Sequence, residues 1–425
     1  NQRDIPFLHA CTGGPVSGSG SALVLSGLKP NTRYWLWARA GMKGASTDDP
    51  AEVHILDFSQ TYSAPVEIAN SHGVREHQNI SHYHNYSFSK LITTGSRITD
   101  DTAGTTEIAL ASKTSDTELS DIYMTAIELT DLSEGIDYFY VESSTETDLN
   151  TTYQSFATKT LDLGTQGYQD GTWLIAGCSR IDINNLGAAR VMTRLSVDHG
   201  TATTTPEIVN GLEDSDEFVC GVIGRIFSFA RSTATTATIS VDCKTHRNMI
   251  GSSNTPDHEF TSLFGLKLSA FDFVYTDYDD AHTQTTSTSF TDTNASVVAD
   301  SANDGDYEAL VFGMSMFVGE STGRSIKWLI NVAPTDAGSD DDVFESTQTW
   351  DRSHISQAVN PFFMIKPVTI AADGGDHTIT LRYKKDSSAE YGVRDSGIAS
   401  IRPRVSSEAY VWDGSAGDNN AQTAT

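Results

Sequence analysis

Cysteine is scarce in this chain, with four among 425 residues, which is too few for a fold built on disulfides. No uninterrupted apolar run approaches the roughly 20 residues of a membrane helix, so we expect a soluble chain without membrane insertion. Lysine is also scarce, with 11 residues, and the sequence contains no cluster of Lys and Arg residues. A nucleic-acid binder needs a basic surface, so nucleic acid is not an expected partner.

Acidic residues are abundant instead: 38 Asp and 18 Glu stand against 17 Arg and 11 Lys, for a net charge of −28. Dense carboxylates hold water and hydrated cations, and molar salt screens their repulsion within about 3 Å. An excess of Asp over Glu and of Arg over Lys resembles proteins of extreme halophiles, including haloarchaea and their viruses. The alternative is an ordinary acidic secreted or virion protein from the sea or a mesophile.

Core-forming residues are sufficient for folded domains, since 38% of the chain is hydrophobic and it contains 18 Phe, 15 Tyr and 6 Trp. Patterns typical of amphipathic helices are nearly absent. Short runs rich in Val, Ile, Thr and aromatics recur instead, separated by Gly, Asn, Asp and Ser. This pattern predicts an all-β protein.

A self-similar unit occurs three times, with Gly41, Gly177 and Gly313 aligned at intervals of 136 residues. Each glycine lies in an apolar strand-like segment, and four further segments follow it in the same order. The four sets are 53–58, 191–197 and 326–332; 86–92, 218–223 and 362–366; 106–111, 238–242 and 378–383; and 126–129, 265–268 and 400–404.

A period of this length is too long for a solenoid repeat and suits a domain with its own core. We therefore predict three tandem antiparallel β-sandwich domains of the jelly-roll or Greek-key kind. The predicted bounds are residues 1–134, 135–272 and 273–413, with a polar C-terminal tail at 414–425 that is poorly ordered in isolation. Because the predicted connections are short, we expect a rigid rod or a compact pile of domains.

The segment from Leu25 to Tyr34 resembles the tyrosine corner of fibronectin type III domains. That resemblance implies a buried Tyr34 hydroxyl that ties the loop back to the backbone, and it favours an immunoglobulin-like sandwich. The corresponding stretches 163–173 and 299–309 lack the pattern, and the period exceeds the length of an immunoglobulin domain. Jelly roll is therefore the favoured topology.

Histidines are concentrated in one loop of the first unit, at His72, His77, His82 and His84. In an extended chain His82 and His84 point to the same side, so they could share a transition metal with His77 as a third ligand. The alternative is a solvated loop that binds no metal. We assign no metal ligand.

Three acidic runs, at 277–280, 300–306 and 340–342, offer oxygen ligands for weakly bound Ca²⁺, Mg²⁺ or other cations. Residues 300–306 lack the ligands that an EF-hand requires at its third and twelfth positions. Solvated loops and turns are the alternative interpretation. No tightly bound cofactor is expected.

Three of the four cysteines, Cys178, Cys220 and Cys243, fall in the second unit, and Cys11 falls in the first. Cys220 and Cys243 lie on consecutive predicted strands, so a disulfide across a hairpin is one hypothesis. Buried thiols are the other, because Cys178 aligns with a methionine in both other units.

No catalytic motif is present: the sequence lacks Gly-x-Ser-x-Gly, His-Glu-x-x-His, a phosphate-binding loop and Cys-x-x-Cys. We therefore expect no enzymatic activity and assign no catalytic or cofactor-binding residue. Four Asn-x-Ser/Thr acceptors, at Asn79, Asn85, Asn150 and Asn294, matter only if the chain is exported. Residues 1–20 have no apolar leader segment, but the chain begins without Met, so removal of a leader stays open.

Tandem acidic sandwiches with few lysines resemble the capsid-decorating, turret or tail-associated proteins of tailed viruses, and the composition suggests a haloarchaeal host. The resemblance implies a virion protein that assembles as a homo-oligomer, a trimer or pentamer, with capsid or tail proteins as partners. It also implies attachment to a host surface glycan or S-layer. Segments 360–366 and 410–412 are the candidates for contact with a neighbour, although core is the favoured interpretation of the second.

Two alternatives stay open. One is an extracellular adhesin or filament on the surface of a halophilic microbe. The other is a carbohydrate-active enzyme built on jelly-roll modules.

Overall fold

The computed structural model describes most of the chain, and almost all of what it describes is β-strand. Its single helix, within the ranges given below, is the three-residue 3-10 turn Leu268–Ala270, so none of the described helices has the length to cross a membrane. The described residues are 8–13, 16–17, 22–44, 50–60, 64–75, 84–100, 103–115, 117–164, 169–183, 190–204, 208–211, 217–245, 256–279, 283–285, 288–299, 307–319, 325–334, 341–349, 358–370, 375–385, 391–402, 410–411 and 422–423.

Strands β1–β10 form the first sandwich, all of them antiparallel. One sheet has the order β1-β10-β4-β8 with β2 beside β10, and the other has the order β3-β9-β5-β7 with β6 beside β5. Their bounds are β1 Leu8–Gly13, β2 Val16–Ser17, β3 Ala22–Leu28, β4 Arg33–Gly44, β5 Ala51–Asp57, β6 Val66–Glu67, β7 Gly73–Arg75, β8 His84–Thr93, β9 Thr106–Ser112 and β10 Thr117–Glu128.

Strands β11–β20 form the second sandwich in the same arrangement. One sheet runs β11-β20-β14-β18 with β12 beside β20, and the other runs β13-β19-β15-β16 with β17 beside β15. Their bounds are β11 Tyr138–Ser143, β12 Thr147–Asp148, β13 Gln154–Asp162, β14 Gly171–Ile183, β15 Arg190–Asp198, β16 Ala202–Thr204, β17 Ile208–Gly211, β18 Glu217–Phe229, β19 Thr236–Thr245 and β20 Asp257–Lys267.

Strands β21–β29 form the third sandwich, with sheets β21-β29-β24-β27 and β23-β28-β25-β26 and with β22 beside β29. A short pair, β30 with β31, follows it near the C-terminus. The bounds are β21 Asp272–Asp279, β22 Thr283–Thr285, β23 Thr291–Ala299, β24 Tyr307–Gly319, β25 Ser325–Pro334, β26 Asp341–Thr349, β27 Ala358–Ile370, β28 His377–Lys385, β29 Tyr391–Arg402, β30 Tyr410–Val411 and β31 Gln422–Thr423.

We number the strand positions of each sandwich from 1 to 8 along the chain, and consecutive strands that pair with the same neighbouring strand share one number. All three sandwiches then have the same topology. One sheet has the order 1-8-3-6 and the other 2-7-4-5. This is the jelly-roll order, so the predicted fold class is confirmed. The five predicted segments of each repeat fall on positions 3, 4, 6, 7 and 8 in all three sandwiches. The division at residues 134 and 272 stays a prediction.

The two sheets of a sandwich differ in burial. We call the 1-8-3-6 sheets the inner sheets and the 2-7-4-5 sheets the outer sheets. On the outer strands β5 and β23 burial alternates along the strand, because only one face is covered. On the inner strands β4 and β20 almost every residue is buried, so both faces are covered. This explains why inner strands appear in the sequence as continuous apolar runs.

One sheet passes from the first sandwich into the second. Strand β7 pairs with β18 at Val74 and Phe218, which joins the first outer sheet and the second inner sheet into ten strands. The ten-stranded sheet covers both faces of the first inner sheet. On one face Tyr86 Oη donates to Ser71 O at 2.5 Å, and on the other Ser262 Oγ donates to Ser89 O at 2.7 Å.

Aromatic rings from all three inner sheets meet in one central core. Trp35 stacks on Phe264 of the second sandwich at 4.0 Å between ring centroids and lies 6.2 Å from Phe363 of the third. Trp37 meets Phe363 edge-on at 6.0 Å. The three jelly rolls therefore form a compact pile rather than a rod.

Segment 360–366, a candidate from the sequence for contact with a neighbour, is not an exposed apolar surface. Residues 361–365 are buried in β27, and Thr125 Oγ1 of the first sandwich donates to Ile365 O at 3.3 Å. The segment contacts a neighbour, but that neighbour is the first sandwich of the same chain. Near the tail, the backbone of Tyr410–Val411 pairs with that of Gln422–Thr423. Residue 412 and the rest of the tail at 414–421 lie outside the described residues.

Candidate functional surfaces

The solvent-facing side of the molecule is made by the outer faces of the three outer sheets. In the third sandwich, β23 alternates small buried residues with exposed Asp292, Asn294, Ser296 and Val298. Arg382 on the neighbouring strand pairs with Asp292 at 2.9 Å. The described part of this face is therefore polar and regular.

The first outer sheet carries two His–Glu pairs. His54 Nδ1 lies 3.0 Å from Glu67 Oε2, and His72 Nε2 lies 2.9 Å from Glu52 Oε2. Lys113 adds a contact of 3.5 Å to Glu67. Burial and then the Lys113 charge lower the pKa of His72. For Glu67, burial is outweighed by the hydrogen bond with His54 and by the Lys113 and His54 charges, so its pKa is lowered. The four side chains of the two pairs therefore partner one another on this sheet.

The hypothesis of a metal shared by the histidines, for which no ligand is assigned from the sequence, gains no support from this arrangement. His72 is engaged with Glu52, and His77 and His82 lie outside the described residues. His84 begins β8, but its side chain is outside the described set. Within the described ranges, no group of three or more His, Cys, Asp or Glu side chains could hold a metal ion.

A carboxylate cluster lies where three strands of the second inner sheet run side by side. Asp257 is directly opposite Asp148 on one neighbouring strand and Asp182 on the other. Burial, a hydrogen bond with Asp148 and the Asp182 and Glu146 charges raise the pKa of Asp257 to about 6. Asp257 therefore holds a proton in mildly acidic solution. Sequence reasoning missed this cluster because its members are far apart along the chain.

Most residues of the three acidic runs identified in the sequence lie outside the part of the chain that the structure describes. Residues 300–306, 280 and 340 lie outside the described residues, as do the side chains of 277–279 and of 341–342. Their backbones place 277–279 in β21 and 341–342 in β26. Cation binding by these runs therefore stays a prediction.

The disulfide hypothesis for Cys220 and Cys243 is wrong. Cys243 is a free, buried thiol on β19, whereas Cys220 lies on β18 in the other sheet. In a jelly roll, positions 6 and 7 cross between the sheets, so these consecutive strands are not a hairpin. Cys178 is also free and buried, as its alignment with methionines predicts. The Cys11 side chain is outside the described residues.

Burial raises the pKa of the Cys243 thiol to about 12, more than the hydrogen bond with Thr193 lowers it. A buried thiol with this pKa is a poor nucleophile.

The tyrosine corner is present although the topology is not immunoglobulin-like. The Lys29 backbone N donates to Tyr34 Oη at 2.8 Å, as the resemblance implied. Burial raises the pKa of Tyr34 to about 12, which keeps the hydroxyl neutral.

The asparagines of the four possible glycosylation acceptors differ in exposure and in hydrogen bonding. Asn294 is exposed with a positive φ of 69°, whereas Asn85 Oδ1 accepts a hydrogen bond from buried Arg39 and Asn150 Oδ1 accepts one from Thr152 N. Asn79 lies outside the described residues.

A small pocket of about 30 Å³ lies in the third sandwich near the start of β21 and the end of β29. It lies beside the Arg402 guanidinium, whose carbon is 4.6 Å from the Tyr307 ring centroid. This volume is far below that of an ordinary ligand site.

The sequence matches no protein-family model and no curated protein. Similar solved structures include the triple jelly roll of an archaeal virus turret, with 10% identity, a TM-score of 0.19 and coverage of 92% of this chain and 90% of that chain. PNGF-II has 7% identity, a TM-score of 0.27 and coverage of 87% and 98%. A tandem CBM22 domain of Paenibacillus barcinonensis Xyn10C has 10% identity, a TM-score of 0.20 and coverage of 60% and 90%. Because identities and TM-scores are this low, we draw no functional inference from them.

Proposed function

We propose that this chain is a structural virion protein, a capsid-decorating, turret or tail-associated component that presents its outer sheets for particle stabilisation or host attachment. The observation that supports this proposal is that the three inner sheets bury their side chains against one another in one core. It makes three jelly rolls into one rigid body whose outer sheets face solvent.

A rigid body suits repeated placement on a particle, because its faces keep fixed relative orientations. Besides the aromatic core, polar contacts between sandwiches hold these orientations. Val222 N donates to Ser87 Oγ at 2.9 Å, and Ser228 Oγ lies 3.0 Å from Tyr275 Oη. A flexible adhesin would instead place movable linkers between its domains.

Self-assembly into a trimer or pentamer is part of the proposal. A net charge of −28 makes close packing of copies costly at low ionic strength. We expect oligomers that form in high salt or with divalent cations and dissociate when salt is removed. Native mass measurements across a NaCl series would detect this change.

The direct test is fractionation of the organism or virus that encodes the chain. The proposal predicts that the chain co-purifies with particles in a fixed copy number and that gold-labelled antibody marks the particle surface. Recovery only from the cell envelope would overturn the virion proposal in favour of an adhesin. Glycan turnover by the purified chain, abolished by substitutions of loop carboxylates, would favour an enzyme instead.

A further inference from the structure

Buried hydrogen-bond donors collect on one face of β4, where the first sandwich meets the third. Trp35, Trp37 and Arg39 alternate along this strand, and all three contact aromatic rings of β27. Arg39 is 2% exposed, and its guanidinium carbon lies 5.3 Å from the Phe362 ring centroid. A cation is thus enclosed in the apolar seam between two sandwiches.

The described protein groups leave part of this guanidinium without an acceptor. Arg39 Nε donates to Asn85 Oδ1 at 3.2 Å, but Nη1 is buried and meets no acceptor among the described residues. The indole Nε1 of Trp37, two residues away on the same face, is likewise buried without an acceptor in the described part. A buried donor without an acceptor costs about 1–3 kcal/mol, and more if it is charged.

Charged groups of both signs lie near this seam. Lys366 of β27 places its ammonium 5.3 Å from the ring centroid of Tyr123, which is the cross-strand neighbour of Arg39. Burial lowers the pKa of Lys366, and it lowers that of Arg39 to about 10 although the charge of Asp121 opposes this shift. Asp121 therefore acts on Arg39 through its charge, while Arg39 Nη1 and Trp37 Nε1 stay without an acceptor among the described residues.

We propose that this seam binds a small monovalent anion, chloride, held by Arg39 Nη1 and Trp37 Nε1. A buried cation is stable when it is paired, and these two groups supply donors rather than acceptors. Chloride accepts hydrogen bonds from several directions. The bound ion joins the first and third sandwiches, so it stabilises the folded pile. This site is independent of the proposed virion role.

Bromide in place of chloride makes the site visible. We expect crystals of the full chain in sodium bromide to give an anomalous peak in contact with the Arg39 guanidinium. An ordered water there, or no peak, would overturn the proposal even if every variant below failed to fold.

Stability supplies the second test. At equal ionic strength and sodium concentration, we expect the thermal midpoint to be at least about 2 °C higher in chloride than in gluconate, because an ion that binds only the folded state stabilises it. Arg39→Met should abolish this difference, and Arg39→Lys should reduce it.

Arg194→Met is the matched control, since Arg194 also lies over an aromatic ring, that of Tyr153, but has a carboxylate partner, Asp242, at 3.2 Å. It should keep the full chloride effect. An equal chloride effect in wild type, Arg39→Met and Arg39→Lys would contradict the proposal.

Discussion

Trp35 of the first sandwich stacks on Phe264 of the second, with ring centroids 4.0 Å apart and ring planes inclined by 14°. Both rings are fully buried. An aromatic side chain of this size buries about 150–250 Å² of surface that water would otherwise contact. The two sandwiches cannot separate without exposing both rings. We therefore expect the first and second sandwiches to unfold together rather than as independent domains.

Gly224 marks the contact between the second and third sandwiches. A Cβ at this position would overlap the Phe363 ring, whereas a Cβ at Gly221 on the same strand has nothing described within 4 Å. Gly224→Ala should lower the free energy of unfolding by about 1–3 kcal/mol through overpacking. Gly221→Ala should leave it unchanged or raise it by roughly 0.5–1 kcal/mol. Urea denaturation of both variants measures the contrast, and equal effects would show that the predicted overlap does not matter.

Asp257 should make stability depend on pH between about 4 and about 6. Its folded pKa of about 6 lies above the ordinary 3.8, so the folded state binds this proton more tightly than the unfolded state does. Stability is therefore lost as the pH rises through this window. Asp257→Asn should stabilise the protein at pH 7 by about 1 kcal/mol, a value discounted because the side chain is partly exposed to solvent.

The control for Asp257 is a carboxylate outside the cluster. Glu308 is exposed on β24, so Glu308→Gln should give no comparable gain at pH 7. At pH 3.5 the Asp257→Asn gain should vanish, because Asp257 is then protonated in the folded state. A gain that persists at low pH would contradict the raised pKa of Asp257.

Cys178 and Cys243 should resist thiol reagents in the folded protein. Both are buried, and burial raises the pKa of Cys243 to about 12, so the reactive thiolate is scarce at neutral pH. Labelling with iodoacetamide, read by peptide mass spectrometry, should modify both residues only in denaturant. Protection of Cys243 that persists in denaturant until a reductant is added would indicate a disulfide and contradict the free thiol.

Tyr34→Phe tests the corner between β3 and β4. It removes the hydroxyl that accepts the Lys29 N–H at 2.8 Å, which should cost about 1 kcal/mol of unfolding free energy with little change of shape. Thr160→Val is a useful comparison, because its hydroxyl makes a longer, exposed contact of 3.3 Å with Thr238. Its effect should stay within about 0.5 kcal/mol.

The repeats could be predicted from sequence because the strand at position 3 of each sandwich carries a nearly continuous apolar run. Gly41, Gly177 and Gly313 do fall on β4, β14 and β24, which occupy the same position in the three sandwiches. The pattern shows that both faces are buried, but it does not show what covers the second face. For this reason the sequence could not show that the apolar residues of segment 360–366 face another sandwich and not solvent.

The candidate sites depended on strand pairing that sequence does not reveal. Cys220 and Cys243 are neighbours in chain order but lie in different sheets. Asp148, Asp182 and Asp257 are distant in the sequence and adjacent in the fold. In the sequence nothing distinguishes Arg39 from other strand residues, because its burial depends on the third sandwich that covers it.

The ten-stranded sheet also has a consequence for how the chain is made. Trp35 and Trp37 of the first inner sheet emerge from the ribosome early, but β20 and β27, whose aromatic rings cover them, follow more than 200 residues later. At roughly 5–20 residues per second, Trp35 and Trp37 stay uncovered for tens of seconds. During that time the nascent chain presents an aromatic surface to its neighbours on the same polysome. Its synthesis is therefore the stage at which aggregation threatens it most.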